Sequence, residues 1–255
     1  MSPWMGSHFS ERIGNKMKKL NNGWMVPDDD QRVTRLLEHD QFMHDPEYES
    51  KFMQAVITHL PNKRTFVDVG ANVGIWSLPM TKHFSNVVAY EPSKQNIECI
   101  KANIPSGIEL REKAVADFNG EAEFSQAEKN CGDGKLVRNG LHLTPNIYVV
   151  EVVKLDEEEL IDVDMIKIDT QGWEWDVVKG MKNIIEKYKP WVMIEINEDV
   201  DLCCSFMENY GYETVSLKSK RNFLWAPKDG HNSPEDKSIL NRYLGPGPYA
   251  LRFGG

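Results

Sequence analysis

The stretch "FVDVGANVGIWS", residues 66–77, runs from an apolar segment into Asp68, Gly70, Asn72 and Gly74. A helix that starts directly after a buried strand presents free backbone N–H groups and a positive dipole end, and glycines there let a ligand approach the main chain. The dinucleotide fingerprint requires glycine at its first, third and sixth positions, but Asn72 and Ile75 occupy the third and sixth, so a dehydrogenase is disfavoured. Asp68, ahead of the first glycine, suits a cationic amino-acid group. Glu91 closes the next β-rich run, "NVVAYE", and a carboxylate there can accept two hydroxyl hydrogen bonds at once. It follows Gly70 by close to the ~20 residues expected when one helix separates two strands. A ligand with an ammonium, a carboxylate and a ribose but no phosphate fits this pair, which points to S-adenosylmethionine.

Such residues need a sheet to bring them together. From Thr65 onward the chain alternates β-rich runs with helical segments, the signature of a parallel sheet covered on both faces. The runs are "TFVDVG", "NVVAYE", "GIELREKAV", "VDMIKID", "PWVMIEIN", "YETVSL" and "RNFLWAP", which predicts seven strands. Helices are expected over 75–83, 93–103, 173–188 and 199–210. In the third, Trp173, Val177, Met181, Ile184 and Tyr188 recur at helical spacing and predict the face packed on the sheet. The region 116–153 breaks the rhythm, with strand-like "GEAEF" and "IYVVEVV" around a Gly/Asn/Asp-rich stretch of the kind that is often functional. Ahead of the sheet, "YESKFMQAVITHL" places Phe52, Val56, Ile57 and Leu60 on one helical face. The expected organisation is an N-terminal extension over 1–60 that caps the substrate, a catalytic domain over 61–230, and a tail over 231–255.

The 255 residues carry a formal net charge of -9 and a pI near 5.3, which argues against a general affinity for nucleic acid and favours a small-molecule or glycan acceptor. No apolar run approaches the ~20 residues of a membrane span, and the first twenty residues hold no secretory core. The sequence therefore predicts a cytoplasmic protein. Cys99, Cys131, Cys203 and Cys204 show no metal spacing and fit reduced thiols.

Taken together, "VDVGANVGIWSLPM", "AYEPSKQNIECIKAN", "AVADFNGEAEF" and "MIKIDTQGWEWDVVKGMKNII" followed by "PWVMIEIN" closely resemble, in order and spacing, the FkbM family of S-adenosylmethionine-dependent methyltransferases, over roughly 40–217. The resemblance implies a class I methyltransferase: an α/β, Rossmann-like three-layer sandwich with a seven-stranded, mostly parallel sheet whose last strand is antiparallel. It implies O-methylation of a sugar or a polyketide-like hydroxyl. By matching positions Asp68, Gly70, Asn72 and Gly74 would line the amino-acid end of the cofactor, Glu91 the ribose, and Ala116 and Asp117 the adenine. The family's usual Glu in the "DxEG" segment is here Gln171.

Ligands of open α/β sheets lie at the carboxyl ends of the strands. Asp169 ends "MIKID", while Glu195 and Asn197 end "PWVMIEIN". An aliphatic hydroxyl needs a base on its proton or a divalent ion to lower its pKa. Asp169 beside the cofactor is the first choice as base, with Glu195 also a catalytic candidate. The second reading is an oxygen-rich Mg²⁺ or Mn²⁺ site from Asp169, Glu195 and Asn197. His142, in the long insertion, is the alternative base. Against these stand plainer roles: Asp169 capping a helix that begins at Gly172, and Glu195 pairing with Lys167. A carbohydrate or polyol O-methyltransferase is thus expected, with an RNA cap ribose methyltransferase or a non-catalytic partner subunit as competing functions.

Overall fold

The computed structural model describes residues 17–38, 50–104, 106–127, 129–138, 146–216, 221–230 and 232–234. The segment ahead of the sheet holds strands β1 (Met17–Lys19) and β2 (Met25–Pro27), paired antiparallel, then helices α1 (Gln31–Glu38) and α2 (Ser50–His59). The main sheet is built from β3 (Thr65–Val69), β4 (Asn86–Tyr90), β5 (Glu109–Arg111), β10 (Val163–Ile168), β11 (Trp191–Glu195), β12 (Tyr212–Ser216) and β13 (Asn222–Pro227). Its seven strands lie in the order β5-β4-β3-β10-β11-β13-β12. All neighbours are parallel except that β13, the last of the described strands, runs antiparallel to both β11 and β12. The expected α/β three-layer class is what forms.

The central strands β3 and β10 are buried at every position, as strands covered on both faces must be, and read accordingly as near-continuous apolar runs. Because side chains alternate across a strand, the sheet divides its residues between two cores. Phe66, Met165, Trp191 and Met193 face a layer that includes Val26, Val33, Leu37, Phe52 and Val56 from the N-terminal segment. Val67, Val69, Ile166, Ile168, Val192 and Ile194 face the helices α5 (Glu174–Lys179), α6 (Lys182–Tyr188) and α7 (Val200–Asn209). The described part of the N-terminal segment therefore shares the main core.

Three expected elements differ. The run "GIELREKAV" divides, since Lys113 N donates to Arg111 O at 2.8 Å, and the chain leaves the main sheet there. Its second part, β6 (Ala114–Val115), joins a separate four-stranded sheet with β7 (Gly120–Ser125), β8 (Lys135–Leu136) and β9 (Ile147–Val153), in the order β6-β9-β7-β8. The two strand-like runs of the insertion are thus an antiparallel pair, in register from Gly120↔Val152 to Ser125↔Ile147. The helix expected over 75–83 contracts to α3 (Ser77–Met80), where Pro79 has no N–H to donate to the preceding turn. The next helix, α4 (Lys94–Asn103), forms as expected, with Ser93 Oγ accepting from Asn96 N.

The single helix expected over 173–188 is two. It breaks at Gly180, where a Cβ would stand 2.3 Å from Ala116 O and 3.3 Å from Asp117 Cα. Asp156 holds the break: its N–H donates to Gly180 O at 2.9 Å, and its carboxylate accepts Asn183 N and Ile184 N, both at 3.0 Å, at the start of α6. Gly180→Ala is accordingly expected to destabilise the protein by about 2 kcal/mol, a melting temperature lower by roughly 4–8 °C, because the obstacle is backbone and cannot swing aside. A melt equal to wild type would show that the contact is not a constraint. Trp173 also leaves the sheet-facing stripe: Val177, Met181 and Ile184 are buried in it and Tyr188 packs against it, whereas Trp173 packs against the second sheet. Among the described residues no helix is long and apolar enough to cross a membrane.

Candidate functional site

A cleft of about 50 Å³ opens at the carboxyl ends of β3, β4 and β10, with Gly70, Asn72, Glu91, Val115, Phe124 and Asp169 among its walls. Its roof is the second sheet together with the turn Cys131–Asp133, which brings Cys131, Gly132, Gly134 and Leu136 over the opening.

The floor is set by close approach of two strand ends. Gly70 N and Ala71 N both donate to Tyr90 O, at 3.0 and 3.1 Å, which draws the glycine turn across β4. Gly70 has φ +76°, and a Cβ on it would stand 1.9 Å from Asp169 O. Only glycine fits there without displacing the end of β10. Beneath the turn Lys167 sits opposite Asp68 in the β3–β10 register. Its ammonium lies 2.9 Å from Gly70 O, 3.7 Å from Asp68 Oδ1 and 3.8 Å from Asp169 Oδ2. Asp68 is fully buried and accepts from Ser77 Oγ at 2.7 Å. Burial pushes its pKa up, and Lys167 opposes the rise.

Glu91 stands at the end of β4, 4% exposed. Its Oε2 accepts Asn72 N at 2.8 Å, and its Oε1 accepts Ser93 N at 2.9 Å and Asn96 Nδ2 at 3.3 Å. A carboxylate offers about four lone-pair sites, so Glu91 keeps accepting capacity toward the cleft. Burial raises its pKa to about 7, against the opposing pull of those donors.

Asp169 follows β10, with its N–H on Val69 O at 3.0 Å and its Oδ1 accepting Gln171 Nε2 at 2.6 Å. Helix α5 begins only at Glu174 and has no side-chain cap, so the capping role considered for Asp169 is not the one it plays. Gln171, at φ 56°, turns the loop back so that its amide reaches Asp169. The loop is fastened by Glu174, a residue the sequence reading passed over within "KIDTQGWE". Its Oε1 accepts Thr170 N, Thr170 Oγ1 and Gly172 N at 3.1, 3.3 and 2.8 Å, and its Oε2 accepts Asn197 N at 3.3 Å. One carboxylate thereby ties the loops after β10 and β11 together. Its burial raises its pKa.

Of the expected site residues, Gly70, Asn72, Glu91 and Asp169 come together in the cleft and six do not line it. Asp68 is sealed under the turn and supports it through Ser77 and Lys167. Gly74 packs against Ile104, whose Cδ1 would be 2.9 Å from an added Cβ. Ala116 is fully buried against Gly180, and Asp117 pairs with Lys179 at 2.5 Å; Lys113, Ala114 and Val115 hold the adjoining wall instead. Glu195 lies in register with Asn222, away from the cleft. Asn197 Oδ1 accepts from Arg221 at 3.4 Å, and its Nδ2 is buried without an acceptor. The donor set for Mg²⁺ or Mn²⁺ therefore does not gather around Asp169, and among the described residues no group of three His, Cys, Asp or Glu side chains is placed to hold a metal ion. His142 lies outside the described residues.

The roof was not legible as such. Cys131 N donates to Asp30 Oδ2 at 2.5 Å, Cys131 O accepts Asn96 Nδ2 at 3.1 Å, and Asp30 Oδ1 accepts Val33 N at 2.8 Å at the start of α1. Met25 and Asn103 exchange two hydrogen bonds, at 2.7 and 2.9 Å, and Asn103 Nδ2 also donates to Val73 O at 2.9 Å.

The domain described as Methyltransferase FkbM matches residues 68–214, more than half of the chain. The hexuronic acid methyltransferase AglP of Haloferax volcanii is 24% identical over 144 residues, which are 52% of this chain and 56% of that protein. Methyltransferase 1 of Beauveria bassiana is 22% identical over 206 residues, 68% of this chain and 80% of the relative. A crystal structure of methyltransferase FkbM from Methylobacillus flagellatus KT superimposes with a TM-score of 0.47 at 18% identity, over 64% of this chain and 43% of that one. The match thus spans about half the length of the archaeal relative and less than half of the Methylobacillus chain. The chain belongs to the FkbM family of methyltransferase domains.

Proposed function

We propose that the protein transfers a methyl group from S-adenosylmethionine to a hydroxyl of a carbohydrate or a similar polyol. The observation that carries this reading is the convergence of Glu91 and Asp169 in one cleft, at the ends of β4 and β10, with the close-packed Gly70 between them. The residues present fit that cofactor: Glu91 keeps accepting capacity for ribose hydroxyls, and Val115, Phe124 and Leu136 offer an apolar wall for a flat ring. When bound, the cofactor supplies a sulfonium methyl whose carbon–sulfur electron pair returns to sulfur as the carbon–oxygen bond forms. Asp169 receives the proton of the acceptor hydroxyl. Gln171 and Glu174 hold Asp169 and its loop in place, so that the acceptor oxygen meets a fixed base, and such positioning supplies much of the rate. The sugar reading draws support from the archaeal relative, whose name gives hexuronic acid as its acceptor.

Glu91 gives the reading a pH signature. Hydroxyl donors favour the ionised carboxylate, so cofactor binding lowers a pKa that stands at about 7 in the free protein. Affinity is then full above pH 7 and falls about tenfold per unit below it, with a proton released on binding near pH 6–7. Calorimetry in buffers of different ionisation heat measures that release, and Glu91→Ala should remove most of the binding. No heat at millimolar cofactor would discard the reading. Incubation with labelled cofactor and an array of glycans, with and without EDTA, identifies the acceptor; transfer that needs a metal would return Glu195 and Asn197 to consideration.

A further inference from the structure

Beside the cleft lies a second cavity of about 180 Å³. It shares Lys135, Leu136, Gln171 and Trp173 with the cleft and extends past Gly172 to Arg138 and Glu198. One wall is thus β8 and its continuation, and the other is the loop that follows Asp169. A molecule seated here would lie against Gln171, whose amide holds Asp169.

The basic groups around these two spaces are nearly all committed. Lys167 is held by Asp68, Asp169 and Gly70 O. Lys113 pairs with Glu151 and Glu158 at 3.0 and 3.4 Å. Arg138 pairs with Asp176, donates to Gly172 O at 3.0 Å, and lies 4.2 Å over the Trp173 ring. Lys135 differs. It is half-buried, it borders both spaces, and among the described residues no carboxylate is within ion-pair distance of it. A partly desolvated ammonium without a partner is stabilised when an anion arrives. Across the cavity Glu198 is exposed and also unpartnered among the described residues, an acceptor suited to vicinal hydroxyls.

We propose that this cavity seats the acceptor and that Lys135 selects an acceptor bearing one carboxylate, an acidic sugar. The inference rests on the methyl-transfer reading and narrows it. One ammonium is a point charge that matches a single carboxylate, whereas phosphate recognition favours a forked guanidinium, and the one that lines this cavity, Arg138, is already paired. A dianion would also meet Asp169 and Glu198. Trp173 is fixed at the junction by its indole N–H, which donates to Leu136 O at 3.1 Å, so the cavity keeps its shape as the acceptor enters.

The test uses the full chain saturated with S-adenosylhomocysteine and two probes, p-nitrophenyl β-D-glucuronide and p-nitrophenyl β-D-glucoside, with binding followed by calorimetry. The glucuronide should bind at least tenfold more tightly. Lys135→Met should erase that difference without changing glucoside binding or the cofactor Kd, and Lys135→Arg should retain most of it. Equal binding of the two sugars by the wild type, or binding of neither, overturns the inference. So does a Lys135→Met variant whose cofactor affinity falls while its sugar preference persists, which would assign the lysine to the carboxylate of the cofactor. A protein that takes up no cofactor at all fails at the earlier step and removes the methyl-transfer reading itself.

Discussion

Asp169→Asn is expected to lower kcat by a factor of 10² to 10⁴ while leaving cofactor affinity within about threefold of wild type. A positioned general base contributes rate enhancement of that size, and asparagine keeps the shape of the side chain and an oxygen for the Gln171 amide that now lies 2.6 Å from Oδ1. The backbone bond from Asp169 N to Val69 O does not involve the side chain. The substitution therefore removes proton-accepting power and one of the two carboxylates near Lys167, which Asp68 and Gly70 O still hold. Single-turnover transfer with labelled cofactor, beside a cofactor titration, separates the two effects. A variant that turns over at the wild-type rate would remove Asp169 as base, and His142 would then be the residue to substitute.

Gly70→Ala should be nearly as severe and for a different reason. A methyl group at this position would stand 1.9 Å from Asp169 O and 3.0 Å from Asp169 C, on a residue whose φ is +76°. The conformation alone costs an L-residue about 1–2 kcal/mol, and overpacking adds about 1–3 kcal/mol. Because the obstacle is the backbone of the proposed base, relief of the clash moves Asp169. A misplacement of ~1 Å lowers rates by about 10²-fold. The expected result is a protein less stable by about 2–5 kcal/mol, with weakened cofactor binding and transfer reduced at least a hundredfold. Thermal melts and calorimetry measure both. Wild-type values in each would mean that the two strand ends can part freely.

Much of this was legible before the structure. The strands of the main sheet could be read because strands buried on both faces need apolar residues at nearly every position, as "MIKID" and "WVMIE" show. Gly70, Glu91 and Asp169 could be read because each stands where an apolar run ends. What escaped the reading depends on contacts distant in sequence. Nothing local to Gly180 reveals that Ala116 O occupies the space above it. Glu174 looks like any acidic residue in a first helical turn until Asn197 N, 23 residues away, is found on its second oxygen. Asp68 and Asp117 have the right side chains near the right strands, but Ser77 and Lys179 engage them away from the cleft. Trp173 keeps helical spacing with Val177, yet it sits ahead of the first helical residue and so is free to turn to the second sheet.

The hydrogen bond from Cys131 to Asp30 separates two notions of a unit. The inherited module begins at Asp68, but the roof of its binding site hangs from Asp30, and the glycine turn is braced through Asn103 against Met25. Both anchors lie outside the residues that the family domain matches. A module of this kind exchanged between proteins at its sequence boundaries would carry every wall of the cleft and leave behind the supports that hold two of them. Kinship and mechanical integrity therefore have different borders in this chain.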